Sequence, residues 1–234
     1  MDLNQLSGLI QNANITELNH VLEKDIPCWP TQPHFMLNQW AKKAWEGPAN
    51  HFLISMSEHN GTHMDASYHF FDKDEGGRSI EEFPVKKFMG PCVKLDMTGK
   101  DSGSLVSKED IVLWEKEYGD IEKDDIVLFC FGWGKFFKPM PEGKKFSEKW
   151  PGLSEEGAVY LADKEIKMVG TDTFSIDASF AENDEAHNVL LAKDILVLEC
   201  LANLEEIPER AYFIALPLRL DGGSGSPIRA IAIW

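Results

Sequence analysis

"HNGTHMDASYHF", residues 59–70, places His59, His63, Asp65 and His69 within a span of eleven positions, in a chain that has seven histidines in all. Imidazole nitrogen and carboxylate oxygen are the ordinary ligands of zinc and similar divalent ions, and a catalytic ion takes about three of them while keeping one position open. His59, His63 and Asp65 supply that number. Side chains two apart on extended backbone point the same way, so His63 and Asp65 can converge on one point, and the Asn60-Gly61 turn signal carries His59 back toward them. The alternative is a helix with His59 and His63 one turn apart, as in H-E-x-x-H zinc enzymes; Gly61 and Thr62 in the intervening turn weigh against it.

Two distant residues extend the pattern. His187 lies in "AENDEAHNVLLAKDILVLEC", and Glu199 closes the apolar run "ILVLE". A carboxylate ending an apolar strand is costly to bury unless it is paired, protonated or bound to metal. Each also has a plain reading, Glu199 as a strand end that reaches water and His187 as a surface histidine.

Around the cluster, "HFLISMS" from 51, "CVKLDM" from 92, "DIVLFCF" from 125, "DILVLEC" from 194, "AYFIALPLRL" from 211 and "IRAIAIW" from 228 have strand length and composition. "SKEDIVLWEKEY" opens on Ser107 with Asp110 three positions on, a spacing like a capping box. "LSEEGAVYLADKEI" offers Ser154 as N-cap, with Glu155 and Glu156 in a first turn where the helix dipole favours them. Strands and helices intermix, and the late strands have few helices between them, so the expected architecture is a mixed sheet with flanking helices.

The chain has 234 residues, 43% of them hydrophobic, which is expected to fold as one domain over 1–234. A formal net charge of -16 argues against nucleic acid as a partner, because a binder of phosphate backbone needs a surplus of Lys and Arg. No run of about eighteen apolar residues marks a membrane span, and the start, "MDLNQLSGLIQNANITELNH", lacks a basic region followed by an apolar run, so a cytoplasmic location is expected. Cys28, Cys92, Cys130 and Cys200 are widely spaced, with Cys130 and Cys200 inside apolar runs, and read as free thiols. Residues 134–150, "GKFFKPMPEGKKFSEKW", are locally basic and read as a solvated loop or a flap near a site. Ser175, Ser179 and Ser226 lie outside any Gly-x-Ser-x-Gly elbow. "DGGSGSP" lacks the Lys-Ser/Thr ending of a phosphate loop and reads as a turn between two strands.

The run at 59–70 resembles the signature of the cyclase family of metal-dependent hydrolases, which includes bacterial kynurenine formamidase and isatin hydrolase. "IPCWPTQPHF" resembles the family's Trp-Pro segment, "VGTDTFSID" its central Gly-x-Asp-x-x-Ser-x-Asp stretch, "HNVLLAKDILVLECLANLEEI" its distal metal segment and "LPLRLDGGSGSPIRAIAI" its C-terminal strand pair. The resemblance implies a mixed α/β domain of the swivelling β/α/β type with a β-barrel-like core, assembled as a homo-oligomer, dimer or tetramer. It implies one or two divalent ions, Zn2+ or Mn2+, on His59, His63 and Asp65, with Asp65 bridging to a second ion on His187 and Glu199. It makes His69 the proton-transfer histidine. Ser67 stands where the formamidase signature usually has proline, which bears on substrate and leaves the ligand positions intact.

The expected reaction is hydrolysis of a small formamide, amide or lactam by metal-activated water, with His69 handling a proton near neutral pH. Trp29, Phe70 and Phe71 are the candidate walls for an aromatic substrate, Trp29 because it matches the family's Trp-Pro segment. A lactone hydrolase or biosynthetic cyclase or dehydratase of the same family is the alternative. A non-catalytic metal- or ligand-binding module is a further one, against which His69 argues, since a closed structural site needs no extra titratable group beside it.

Overall fold

The computed structural model describes residues 2–44 and 47–234. Its strands are β1 (Ile15–Glu17), β2 (Met36–Ala41), β3 (His51–Ser55), β4 (His63–Asp65), β5 (Met89–Asp96), β6 (Leu105–Val106), β7 (Ile126–Cys130), β8 (Gly152–Leu153), β9 (Met168–Thr171), β10 (Leu196–Glu199), β11 (Arg210–Pro217) and β12 (Gly225–Ile233). Its α-helices are α1 (Leu3–Asn12), α2 (Lys108–Tyr118), α3 (Glu155–Asp163) and α4 (Glu185–Leu191).

The main sheet runs β12-β11-β5-β7-β9-β10-β4 and closes on itself where β4 pairs with β12, with β1 alongside the far end of β12. β5, β7, β9 and β10 are parallel neighbours, and α2, α3 and α4 form the connections between them. The remaining barrel pairings are antiparallel. The expected mixed sheet with flanking helices is therefore present, closed into a seven-stranded barrel.

Side-chain alternation builds two cores from one sheet. In β7, Ile126, Leu128 and Cys130 join an inner cluster with Met64, Phe213, Ala215, Ala230 and Ala232. Val127 and Phe129 face the other way, into a layer with Ile111 and Trp114 of α2, Leu161 of α3 and Leu190 of α4. A strand buried on both faces reads as a continuous apolar run, which is why "IVLFC" was legible as a strand. Small alanines opposite Phe213 fill the narrow interior, as small closed barrels require.

Both helix starts follow from their caps. Ser107 Oγ accepts from the Asp110 N–H at 3.2 Å while Asp110 accepts from the Ser107 N–H at 2.7 Å. Ser154 Oγ accepts from the Gly157 N–H at 3.1 Å. "HFLISMS" does form β3, but outside the barrel, paired only with β2 among the described strands. The basic 134–150 segment is anchored by Phe146 and Trp150, both buried, while its lysines stay at the surface. The Trp133 and Trp150 indole N–H groups donate to the carbonyls of Phe146 and Asp177. Buried Asp172 accepts from the N–H groups of Phe131 and Trp133, fixing the loop that enters this segment.

Candidate metal centre

β4 takes its place because Gly61, with φ +66°, turns the chain sharply before His63, a conformation that favours glycine. Along β4, Met64 points into the barrel, so His63 and Asp65 point outward on the same side. In the neighbouring antiparallel strand Glu199 lies directly opposite His63, and in β12 Gly225 lies opposite Asp65. Any side chain at Gly225 would collide with the His59 ring, since a Cβ there would sit 2.6 Å from its Cε1. The glycine-rich turn thus ends on a residue whose lack of a side chain makes room for His59.

α4 brings the fourth group. Asp177 accepts from the Ala186 and His187 backbone N–H groups at 2.7 and 3.1 Å, holding the start of the helix. Its Oδ2 also lies 2.6 Å from His187 Nδ1, which turns Nε2 toward Asp65 and Glu199. His63 is oriented in the same manner: its Nδ1 lies 2.9 Å from the Gly61 carbonyl, leaving Nε2 free to face the carboxylates. Such partners on the far ring nitrogen are what fix the tautomer of a metal-binding imidazole.

His63 Nε2 lies 3.4 Å from Asp65 Oδ1 and 3.5 Å from Glu199 Oε2; His187 Nε2 lies 3.4 Å from Asp65 Oδ2 and 3.2 Å from Glu199 Oε1. Charge-assisted hydrogen bonds are shorter, about 2.7–2.9 Å. Donor atoms around a tetrahedral ion with bonds of roughly 2.0–2.1 Å are about 3.3 Å apart. Two imidazoles and two carboxylates, all buried and held at that spacing, fit a divalent cation. His63, Asp65 and Glu199 offer ligand atoms within 4.8 Å of one another, and so do His59, Asp65 and His69.

His59 is placed differently. Its Nδ1 contacts Asp65 Oδ1 at 2.6 Å and its Nε2 contacts Ser224 Oγ at 2.9 Å, so both ring nitrogens are engaged. Burial works to lower its pKa, but the Asp65 and Glu58 carboxylates outweigh it and hold His59 at about 10. His187 is likewise held well above the usual imidazole range: burial opposes this, and Asp177, Asp65 and Glu199 prevail. Asp65 is held well below the usual carboxylate range by the surrounding imidazoles, against its own burial. The carboxylates draw positive charge into the pocket, which is the electrostatic demand that a bound cation meets.

His69 stacks on His59 with ring centroids 3.9 Å apart and keeps an edge exposed at the cavity. Desolvation of its ring lowers its pKa to about 4, so it is neutral at pH 7 and able to accept a proton. The cavity is about 330 Å³, and His69 shares its lining with Trp29, Phe70, Phe174, Ser175 and Gln32, over the floor of His63, His187 and Glu199. Trp29 stacks on Phe174 at 5.4 Å and Phe70 stacks on His187 at 4.8 Å. Phe70 and Phe71, which follow the tight turn Ser67–His69, both pack against the helix-side core, and Phe70 alone of the two also lines this cavity. Ser67 donates its hydroxyl to Asp194 at 2.7 Å, away from the cavity.

A profile of the putative cyclase family matches residues 16–178, a span that includes His59, His63, Asp65 and His69. The chain belongs to this family. The cyclase-family enzyme is similar over nearly its whole length to a kynurenine formamidase and to solved isatin hydrolases. It is 30% identical over 227 residues to a kynurenine formamidase of Erythrobacter litoralis, covering 97% of this chain and 96% of the relative. Isatin hydrolase A from Labrenzia aggregata, solved with benzyl benzoate, superposes with a TM-score of 0.89 at 32% identity, covering 99% and 98% of the two chains. An isatin hydrolase bound to the product analogue thioisatinate superposes at 0.91 with 27% identity, covering 100% and 99%.

The sequence reading missed Asp177, Gly225, Glu58, Ser224 and Phe174. Asp177 was visible as the last residue of "VGTDTFSID", but its hold on His187 depends on how α4 docks. Asp177→Asn keeps the shape and removes the charge behind His187. We expect a 10- to 100-fold loss of metal affinity and activity, roughly the effect of disturbing such a partner, read by chelator competition on protein whose circular dichroism is unchanged.

Proposed function

We propose that this cyclase-family enzyme hydrolyses the C–N bond of a small aromatic formamide, amide or lactam, with one or two divalent ions, Zn2+ or Mn2+, held by His63, Asp65, His187 and Glu199 and by His59 beside them. The observation that carries the reading is the convergence of two imidazoles and two carboxylates at ligand spacing on the floor of an aromatic cavity. A bound divalent ion would lower the pKa of its water from about 15.7 toward neutrality and polarise the carbonyl under attack.

The chain's own residues do the rest. Trp29, Phe70 and Phe174 present ring faces that hold a planar substrate, and a cavity of this size admits a small molecule. His69, neutral and facing the same cavity, takes a proton as the attacking water forms its C–O bond. It returns that proton to the nitrogen as the C–N bond breaks, so the products are an amine and a carboxylic acid, which ionises to the carboxylate by releasing the second proton of the water. Glu199 is kept in place by the Ile176 N–H, which donates to its Oε1 at 2.9 Å.

Residues 1–234 act as one hydrolase domain, a reading supported by a single sheet that takes in strands from Ile15–Glu17 to Gly225–Ile233. Among the described residues no helix is long and apolar enough to cross a membrane. We place the enzyme in the cytoplasm, with its small substrate and copies of itself, as a dimer or tetramer, as its partners. The test is an assay on N-formylkynurenine and isatin before and after chelation, with Zn2+ or Mn2+ restored. Chelation should abolish turnover of at least one substrate and metal should restore it; turnover indifferent to chelator would refute the mechanism.

A further inference from the structure

One carboxylate on the cavity wall takes no part in the metal centre. Asp184 lines the cavity and is exposed, which places it at the mouth. It occupies the N-cap position of α4, yet its side chain makes no capping hydrogen bond. The Ala186 and His187 N–H groups donate to Asp177 instead. A capping aspartate has extended backbone, whereas Asp184 is left-handed, with φ 49° and ψ 52°. Among the described residues its carboxylate has no hydrogen-bond or ion-pair partner. Burial and the nearby Asp177 carboxylate push its pKa up, so its charged form is short of a counter-charge.

The rest of the wall decides which substrates could supply that counter-charge. No lysine or arginine lines the cavity. Beside the histidines and Glu199, the wall is three aromatic rings and the neutral side chains of Thr31, Gln32 and Ser175. The basic 134–150 segment only backs this wall: Phe146 and Trp150 pack edge-on against Phe174, and none of its lysines reaches the lining. A substrate with a free carboxylate therefore meets no fixed lysine or arginine on the wall and faces a like charge at the mouth. One with an ammonium group finds Asp184 as its counter-ion, and Glu182 and Glu185, close to it in the chain, add to the field that draws cations there.

We propose that Asp184 is a specificity-determining residue, the counter-ion for an ammonium group carried by the aromatic substrate, so that the enzyme prefers ammonium-bearing aromatic amides to neutral ones and disfavours those ending in a carboxylate. The proposal rests on the hydrolase reading above and narrows its substrate class.

Two matched sets test it, three meta-substituted formanilides and three 5-substituted isatins, alike within each set except that the substituent ends in an ammonium, a methyl or a carboxylate. With the metal-loaded, full-length enzyme, kcat/KM should fall in that order in whichever set is hydrolysed. The ratio of ammonium to methyl substrate should be about fivefold at low salt and shrink as salt rises. Asp184→Asn, whose side chain also tolerates left-handed backbone, should bring that ratio to about one, and Asp184→Lys should reverse the order. A wild type that does not favour the ammonium substrate, or a ratio that Asp184→Asn leaves unchanged, would overturn the proposal. Calorimetric titration with the three matching anilines reads the same order without turnover and separates the two readings. Charge-ordered binding with no hydrolysis of either set would refute the hydrolase reading and keep the counter-ion at Asp184. Hydrolysis with equal binding of all three anilines would refute the counter-ion alone, and equal binding with no hydrolysis would refute both.

Discussion

Asp65→Asn should leave a folded protein that has lost its bound metal and at least about 10³-fold of its turnover, since a catalytic ion supplies several kcal/mol of transition-state stabilisation. Among the described residues, Asp65 is the one carboxylate that faces His59, His63 and His187 together, with one oxygen toward the first two and the other toward the third. Asparagine keeps the shape but cannot balance the charge of a cation, and its amide nitrogen is no ligand for one. Elemental analysis, circular dichroism and an amide-hydrolysis assay on the same preparation separate the effects. Metal and activity should disappear together while the fold persists; full metal occupancy in Asp65→Asn would remove this residue from the centre of the account.

His69→Ala should behave in the opposite way with respect to metal. The floor of the cavity, His63, Asp65, His187 and Glu199, does not depend on His69 for its hydrogen bonds. The variant should therefore keep its metal and lose roughly 10²- to 10⁴-fold in kcat, the usual range for removing a general acid or base, with KM much less affected. Because His69 also stacks on His59, the metal content of the variant must be measured alongside its kinetics. A fully active His69→Ala enzyme would show that another group moves the proton. An inactive variant that has also lost metal would make His69 a ligand, which its proximity to His59 and Asp65 allows.

Much of this was legible because the decisive information is local. The Asn-Gly turn, the two-residue spacing of His63 and Asp65, and the continuous apolar runs of the parallel strands each follow from backbone periodicity, and each is present in the fold. Barrel closure was not legible from pattern, because it depends on the pairing of three-residue β4 with both β10 and β12. Strands this short carry no periodic signal. α4 escaped notice because its helix starts from a carboxylate outside it, Asp177, in place of a capping residue of its own. Phe70 and Phe71 could not be told apart in the sequence: both pack against the helix-side core, and only Phe70 also reaches the cavity after the turn at Ser67–His69. Phe174 and Gly225 belong to the site through contacts between distant segments, which a linear reading does not supply.

The most direct test of the central claim is the metal content of gently purified, active enzyme by elemental analysis. The account predicts one or two equivalents of a divalent transition metal per chain, falling toward zero in Asp65→Asn. Active enzyme with no stoichiometric metal would contradict it, and would leave the buried histidines and carboxylates beneath the aromatic cavity in need of another explanation.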